Sequence, residues 1–171
     1  HRRRKSAFDE TLNRVNRGHG LAEYIATATA ARARGIPVCA HLIVGLPGET
    51  EEHYHASLDT VLEHGVDGLK LHPLHVVKHT VLAQEWRRGD YQPLSQEDYT
   101  RIVADLIERT PEDIAFHRVT GTASRDILLA PNWCSKKWDV LNKIEQELRK
   151  RDSHQGKFAH PATEEKLRYV A

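Results

Sequence analysis

Methionine is absent from the sequence, cysteine is nearly so, and no long apolar run occurs. A membrane-spanning helix needs roughly 20 consecutive apolar residues, so no membrane span and no membrane partner are predicted. The two cysteines, Cys39 and Cys134, are too few for a disulfide framework and form no Cys-x-x-Cys clip. We therefore expect free thiols and, as the default compartment, the cytoplasm.

The charge of the chain is nearly balanced. A formal net charge of +1 gives no global preference for nucleic acid or for acidic surfaces. The basic start HRRRK lacks the apolar core of a secretory signal, so export is not predicted. The absence of methionine and this abrupt start together indicate a fragment, although a processed or engineered N-terminus would look the same.

Hydrophobic periodicity predicts alternating helices and strands, and hence an α/β fold. Helices are predicted at residues 9–16, 21–34, 51–64, 80–86, 96–109 and 136–150, and strands at residues 37–44, 68–74 and 114–118. The first strand is apolar almost throughout, which is typical of a parallel strand covered on both faces. Trp138, Leu141, Ile144 and Leu148 are expected to point inward. A compact three-layer domain and half of a larger barrel both fit this pattern.

The turn GLPGE, residues 45–49, lies where parallel α/β folds bind their ligands, beyond the carboxyl end of a strand. Gly45 and Gly48 permit positive φ and close backbone approach, and Pro47 stiffens the turn. A helix N-terminus attracts phosphate, but the run ETEE places up to three negative charges there. The turn therefore favours a neutral or cationic nucleoside, with an ordinary βα turn as the alternative.

The second strand ends in LKLHPLHVVK, which contains two histidines and two lysines. Alternation places Lys70 and His72 on one face and His75 on the other. A metal pair of the two histidines would need side chains that converge, but side chains at a strand end diverge. Substrate-facing groups are the favoured interpretation, with structural histidines and a histidine-metal hydrolase as alternatives.

Four motifs, in order, resemble the radical S-adenosylmethionine (SAM) superfamily: LNRVNRGH, VCAHLIVGLPGE, GVDGLKLHPLHVVK and LLAPNWC. The resemblance covers residues 6–156 and is strongest to the YhcC-type proteins, related to the Elp3 and coproporphyrinogen-dehydrogenase branch. It implies the C-terminal half of a partial (β/α)6 TIM-like barrel with a helical extension. The implied segments are a junction at residues 1–5, barrel at 6–92, extension at 93–151 and a flexible tail at 152–171.

The resemblance also implies an activity for the intact protein. Such an enzyme would bind a [4Fe–4S] cluster and SAM, and would generate a 5′-deoxyadenosyl radical that abstracts hydrogen from an unknown substrate. The cluster cysteines of this family belong to the N-terminal barrel half, so the chain is expected to lack them and to be inactive without that half. RNA is a conceivable substrate, although no basic stripe with interleaved aromatics is present. The alternative is a non-catalytic α/β remnant or an interaction module.

Site residues follow from the same resemblance. Arg17 matches an arginine that reaches the SAM carboxylate, a role that suits a guanidinium fork. His41 falls where the coproporphyrinogen branch has an aspartate near the ribose, and His75 falls close to the adenine. His79 stands where the family usually has glycine, which puts that loop's conformation in question. The predicted cofactor-binding residues are Arg17, His41, Gly45, Leu46, Pro47, Gly48, Glu49 and His75, and the predicted substrate-facing residues are Lys70, His72 and Lys78.

Overall fold

A three-stranded parallel sheet forms the centre of the computed structural model, which describes residues 8–14 and 20–159. Its strands lie in the order β1 (Cys39–Val44), β2 (Gly68–Pro73) and β4 (Ala115–Arg118). β1 and β2 pair in register over their whole length, from Cys39 beside Gly68 to Val44 beside Pro73. The predicted α/β class is confirmed, and β4 shows that the segment 93–151 contributes to the same sheet.

The described helices begin and end near the predicted residues. They are α1 (Asp9–Arg14), α2 (Leu21–Arg32), α3 (Glu51–Glu63), α4 (Val81–Arg88), α5 (Gln96–Arg109), a 3₁₀ turn (Asn132–Ser135) and α6 (Lys137–Lys150). Local capping explains the agreement. Ser95 Oγ accepts from the Asp98 N–H at 3.0 Å and opens α5. Gly65, with φ 73°, ends α3.

The sheet has one buried face and one partly open face. Burial alternates along β1, so Ala40, Leu42 and Val44 are buried while Cys39, His41 and Ile43 remain half-buried. β2 alternates in the same phase, which leaves Lys70 and His72 half-buried. We call this side of β1, β2 and β4 the open face. The prediction of a first strand covered on both faces is wrong, because the described residues bury only one face of it.

Two hydrophobic clusters support the sheet. The larger one packs side chains of α2, α3, α5 and α6 against the buried face of β1 and β2, and it includes Leu58, Leu69, Leu71, Tyr99, Val103, Leu106 and Val140. The smaller one consists of Val76, Ala83, Tyr91 and Ala130. It joins α4 to an antiparallel ribbon of β3 (Val76–Val77) and β5 (Leu128–Ala130). This ribbon is not predicted from the sequence, because strands of two and three residues are too short to show a period.

The start of α6 faces solvent. Trp138 is 73% exposed, so the prediction that it points inward is wrong. Val140 and Ile144 are the buried residues of this helix, and Leu148 packs partly against the same cluster. Trp133, in the 3₁₀ turn before α6, packs against the larger cluster instead, with its ring 5.1 Å from that of Tyr99.

Residues 152–159 lie against α5 and the start of β4. The Gln155 side chain donates to the carbonyls of Pro111 and Ile114 at 2.7 and 2.8 Å. The Phe158 N–H donates to the Glu108 carbonyl at 2.8 Å. The prediction of a loose tail from Asp152 is therefore wrong for this stretch, because these bonds fix it; residues 160–171 are outside the described part of the chain.

A network of ion pairs around Arg151 joins α5 to α6. Its guanidinium donates to Asp105, to Glu108 at 3.0 Å and to Glu147 at 2.9 Å. The Glu108 side chain is only 5% exposed, so its carboxylate depends on Arg151 for a neighbouring positive charge. Removing one partner of a buried ion pair leaves an uncompensated charge, which is strongly destabilising.

We expect Arg151→Met to lower the free energy of unfolding by about 3 kcal/mol at neutral pH, because Glu108 stays buried without its partner. Urea titration measures this loss. The matched control is Lys150→Met, since Lys150 is 79% exposed and its pair with Glu147 is worth less than about 1 kcal/mol.

The same variant has a pH signature. The hydrogen bond from Arg151 lowers the pKa of Glu147, so the stability from this pair is present above the ordinary glutamate pKa and is lost as the pH falls through the lowered value. The deficit of Arg151→Met should therefore shrink in acid. An equal deficit at pH 7 and pH 4 would contradict this account.

His79 stands where the family usually has glycine, and its backbone adopts a conformation that glycine favours. Its φ is 63°, in the left-handed region that favours glycine, and its side chain is exposed. We expect His79→Gly to raise the free energy of unfolding by up to about 1 kcal/mol, net of the added freedom of the unfolded chain. Lys78→Gly, one residue earlier and without positive φ, should lower it. Thermal unfolding of both variants separates the two effects, and a destabilised His79→Gly would refute the strain.

Candidate functional site

Residues 45–49 form a tight turn directly after β1. Gly45 and Gly48 have φ values of 98° and 83°, so the turn requires both glycines as the sequence predicts. The Glu49 N–H donates to the Leu46 carbonyl at 3.1 Å and closes the turn. Thr50 then opens α3, and its N–H donates to His53 Nδ1 at 3.1 Å.

Two buried tyrosines hold the peptide groups of Gly45. The Gly45 N–H donates to the Tyr54 hydroxyl at 3.1 Å, and the Tyr91 hydroxyl donates to the Gly45 carbonyl at 2.8 Å. Burial raises the pKa of Tyr54 to about 12 and also raises the pKa of Tyr91, so both remain protonated at neutral pH. The Gly45 N–H is therefore occupied, and its carbonyl already accepts one hydrogen bond.

Sequence reasoning missed both tyrosines. Both are buried in the structure, where a tyrosine hydroxyl needs a polar partner, but the sequence neighbours of Tyr91 are the polar residues Asp90 and Gln92, so no local signal marks its burial. The identity of that partner was not readable, because Tyr91 is 46 positions from Gly45.

A shallow cleft of about 280 Å³ lies beside the turn. It is lined by Gly45, Leu46, Pro47, Gly48, Glu49, Tyr54, Asp90, Tyr91, Gln92 and Leu94. Leu94 Cδ1 lies 3.3 Å from where a Cβ on Gly45 would be, so a larger residue there would require Leu94 to shift. Apolar side chains beside peptide groups suit a flat, neutral ring.

The acidic run after the turn is partly neutralised. Arg101 on α5 donates to both carboxylate oxygens of Glu51, at 2.8 and 2.6 Å. These hydrogen bonds lower the pKa of Glu51 and keep it ionised beside its partner. At least one of the three acids is therefore neutralised, so the argument against a phosphate at this turn is weaker than the sequence alone indicates.

Three histidines stand in a row on the open face. The ring centroids of His41 and His72 are 5.9 Å apart, and those of His72 and His75 are 6.1 Å apart. The prediction that His72 and His75 diverge is wrong, because β2 ends at Pro73 and alternation ends with it. Burial lowers the pKa of His75, whose Nε2 is buried without a hydrogen-bond partner among the described residues.

The remaining predicted residues lie apart from this row. Lys78 is exposed one position beyond β3, and its N–H donates to the Ile127 carbonyl at 2.8 Å. It therefore belongs to the ribbon and not to the three-stranded sheet. Arg17 lies outside the described residues. The structure thus brings together His41, Lys70, His72 and His75, with the turn at the end of the same β1 strand.

The two cysteines lie apart and are protonated. Cys39 begins β1, whereas Cys134 is buried in the 3₁₀ turn. Burial raises the pKa of both thiols, that of Cys134 to about 12. Across residues 8–14 and 20–159, no three histidine, cysteine or acidic side chains are grouped to hold a metal ion. The described residues therefore do not fit a [4Fe–4S] cluster, which needs several thiolates.

Two family models match the chain one after the other. The model described as the radical SAM superfamily matches residues 5–61, and the model of the Radical_SAM C-terminal domain matches residues 66–150. The chain belongs to the radical SAM superfamily. This confirms the resemblance drawn from the four motifs. None of the helices that the structure describes has both the length and the apolar composition of a membrane span.

Known proteins place the chain more closely within this superfamily. Protein YhcC of Escherichia coli (strain K12) is 44% identical over 144 residues, which are 84% of this chain and 47% of YhcC. A tRNA uridine(34) acetyltransferase of Dehalococcoides mccartyi is 33% identical over 114 residues, 65% of this chain and 25% of that protein. The chain thus spans about half the length of YhcC.

A solved structure shows the same fold. The archaeal Methanocaldococcus infernus Elp3 with an N-terminal deletion superposes with a TM-score of 0.74 at 19% identity, over 88% of this chain and 35% of that one. The predicted likeness to YhcC-type and Elp3-like radical SAM proteins is confirmed at the level of fold and family.

Thiol reactivity tests the description of the two cysteines. The thiolate is the nucleophile, so a raised pKa slows alkylation at neutral pH. We expect iodoacetamide at pH 7.5 to modify Cys39 slowly and Cys134 not at all, and Cys39 to react faster as the pH rises toward 9. Peptide mass spectrometry reads both sites, with the chain unfolded in guanidinium as the control in which both react. Alkylation of native Cys134 at pH 7.5 would contradict its burial.

Proposed function

We propose that this chain forms the adenosine-side wall of the SAM site in a radical SAM enzyme. The observation that supports the proposal is the Gly45–Glu49 turn, held by two tyrosines at the carboxyl end of a parallel strand in a chain of this superfamily. When bound together, SAM and a [4Fe–4S] cluster supply a 5′-deoxyadenosyl radical that abstracts hydrogen from a substrate. The cofactors carry that chemistry, and this chain supplies binding and shielding.

The turn is suited to the adenine because it is already fixed. The bonds from Tyr54 and Tyr91 to Gly45 set the backbone, so little conformational freedom is lost when a ligand binds. Leu46 and Pro47 line the cleft but are buried, and the half-buried Leu94 beside them offers apolar contact. Gly48, which is exposed, allows a ring to approach the backbone closely.

The histidines and one arginine complete the proposed wall. His75 Nε2 is a buried polar atom without a partner among the described residues, and a heteroatom of the adenine would satisfy it. His41 can exchange a hydrogen bond with a ribose hydroxyl. Arg17, outside the described residues, is proposed to reach the SAM carboxylate. The cluster ligands are proposed to lie in the part of YhcC's length that this chain does not span.

The substrate is the open part of the proposal. One relative is named as a tRNA uridine(34) acetyltransferase, so RNA is the first substrate class to test. Lys70, His72 and Lys78 are proposed to face it. We also propose the domain limits given by the resemblance, with barrel at 6–92 and extension at 93–151.

The test of function is 5′-deoxyadenosine formation by the full-length protein, translated with the codons upstream of His1 and reconstituted anaerobically with iron, sulfide and dithionite. We expect SAM-dependent 5′-deoxyadenosine, measured by mass spectrometry. An upstream region without a cysteine-rich barrel half, or a reconstituted cluster that yields no 5′-deoxyadenosine, would overturn the proposal.

The role of the turn is tested by two glycine substitutions. Gly45→Ala places a Cβ at φ 98° and 3.3 Å from Leu94, and we expect the Kd for SAM to rise about tenfold or more. Gly35→Ala is the matched control, because Gly35 also has positive φ, 67°, but nothing lies within 4 Å of its added Cβ. Equilibrium dialysis with labelled SAM compares the two. Equal changes in Kd would mean that the effect is backbone strain alone.

A further inference from the structure

The open face carries a line of nitrogen-bearing side chains across all three strands. The register places Lys70 beside His41 on one side and beside Arg118 on the other. His72 lies two residues further along β2, with its Nε2 2.9 Å from Arg118 Nη1. The sequences of β1, β2 and β4 contain neither aspartate nor glutamate. We call Lys70, His72 and Arg118 the basic row.

The two permanent charges of the basic row have no opposite charge beside them. In residues 8–14 and 20–159, no carboxylate lies within ion-pair distance of Lys70 or Arg118, whereas Arg101 and Arg151 both pair with carboxylates. Neighbouring strands are only about 4.8 Å apart, so these cations repel each other. Lys70 is half-buried and Arg118 is exposed, and an anion bound between them would offset the repulsion of like charges on neighbouring strands.

The position of His72 in the row is fixed by its neighbours. Gly121 is buried against the imidazole, and a Cβ added there would lie 2.1 Å from His72 Cε1. Arg118 holds the ring from the other side through Nε2. Side chains held in this way lose little freedom on binding, which favours a defined ligand over a diffuse counterion cloud.

We propose that the basic row binds a phosphate group of the substrate. A carboxylate is satisfied by one guanidinium fork, whereas Lys70 and Arg118 approach from two strands and can donate to several oxygens of a tetrahedral anion, with His72 Nε2 accepting from Arg118 and holding it in place. The assignment of this phosphate to a substrate rests on the proposed function, because the row lies beside His41 and therefore beside the proposed SAM wall. The row itself is independent of SAM and of any cluster.

The experiment titrates inorganic pyrophosphate into the full-length protein and into the 171-residue chain at constant ionic strength, with chloride in the reference. Histidine resonances followed by NMR report binding at the row. We expect saturable shifts at His41 and His72, and Lys70→Gln or Arg118→Gln should weaken binding about tenfold each. Arg149→Gln, on the exposed surface of α6, is the matched control and should change the Kd less than twofold. Absence of saturable shifts, or equal affinity of the row variants and the control, would overturn the proposal.

Two further measurements separate the explanations. Lys70→Gln removes a charge repulsion, so its thermal midpoint should not fall, and weaker binding by a folded variant cannot be attributed to unfolding. Gly121→Ala displaces His72 and should also weaken binding while both cations remain. Pyrophosphate binding by the 171-residue chain but not by the full-length protein would show that carboxylates of the remaining sequence pair with the row, which overturns the proposal.

The source of the phosphate is resolved by comparing glycerol phosphate with a short RNA that has no terminal phosphate. Preference for the RNA assigns the row to a phosphodiester backbone, and preference for glycerol phosphate assigns it to a phosphomonoester. Both results support phosphate binding, and binding of neither contradicts it. If pyrophosphate binds but no 5′-deoxyadenosine forms, only the proposed radical function is contradicted. If 5′-deoxyadenosine forms but pyrophosphate does not bind, only the proposed phosphate site is contradicted.

Discussion

The parallel pairing of β1 with β2 is the constraint on which the rest of this structure depends. Six residues of each strand pair without a shift, so the alternation of side chains is in phase across both strands. The same phase that buries Leu42 and Leu71 sends His41 and His72 to the other side. A slip of one residue would put imidazoles into the core, and the hydrophobic cluster therefore fixes the geometry of the candidate site.

Features set by local interactions could be predicted from the sequence. The limits of α5 follow from Ser95 and Asp98, and the need for glycine in the turn follows from its backbone. The family could also be recognised, because the four motifs occur along the chain in the order that the family has them. These signals share one property, which is that each is complete within a short stretch of chain.

Features set by distant residues could not be predicted. The hydrogen bond to the Gly45 carbonyl comes from Tyr91, which is distant in sequence. The approach of His75 to His72 depends on where β2 stops pairing. The exposure of Trp138 was likewise set by tertiary packing, in which Trp133 and not Trp138 lies against Tyr99. The burial of only one face of β1 could not be predicted either, because an apolar strand sequence does not indicate how many of its faces are covered.

The Tyr91 hydroxyl has a consequence beyond the turn itself. Tyr91 belongs to the smaller hydrophobic cluster, with α4 and the ribbon, while Gly45 ends a strand of the larger cluster. This bond links two separately packed units, as does the bond from the Leu74 N–H to the Val44 carbonyl at 2.9 Å. A change of Tyr91 or Leu94 therefore acts on the turn at residues 45–49 as well as on its own surroundings, which couples the sequences of the two units.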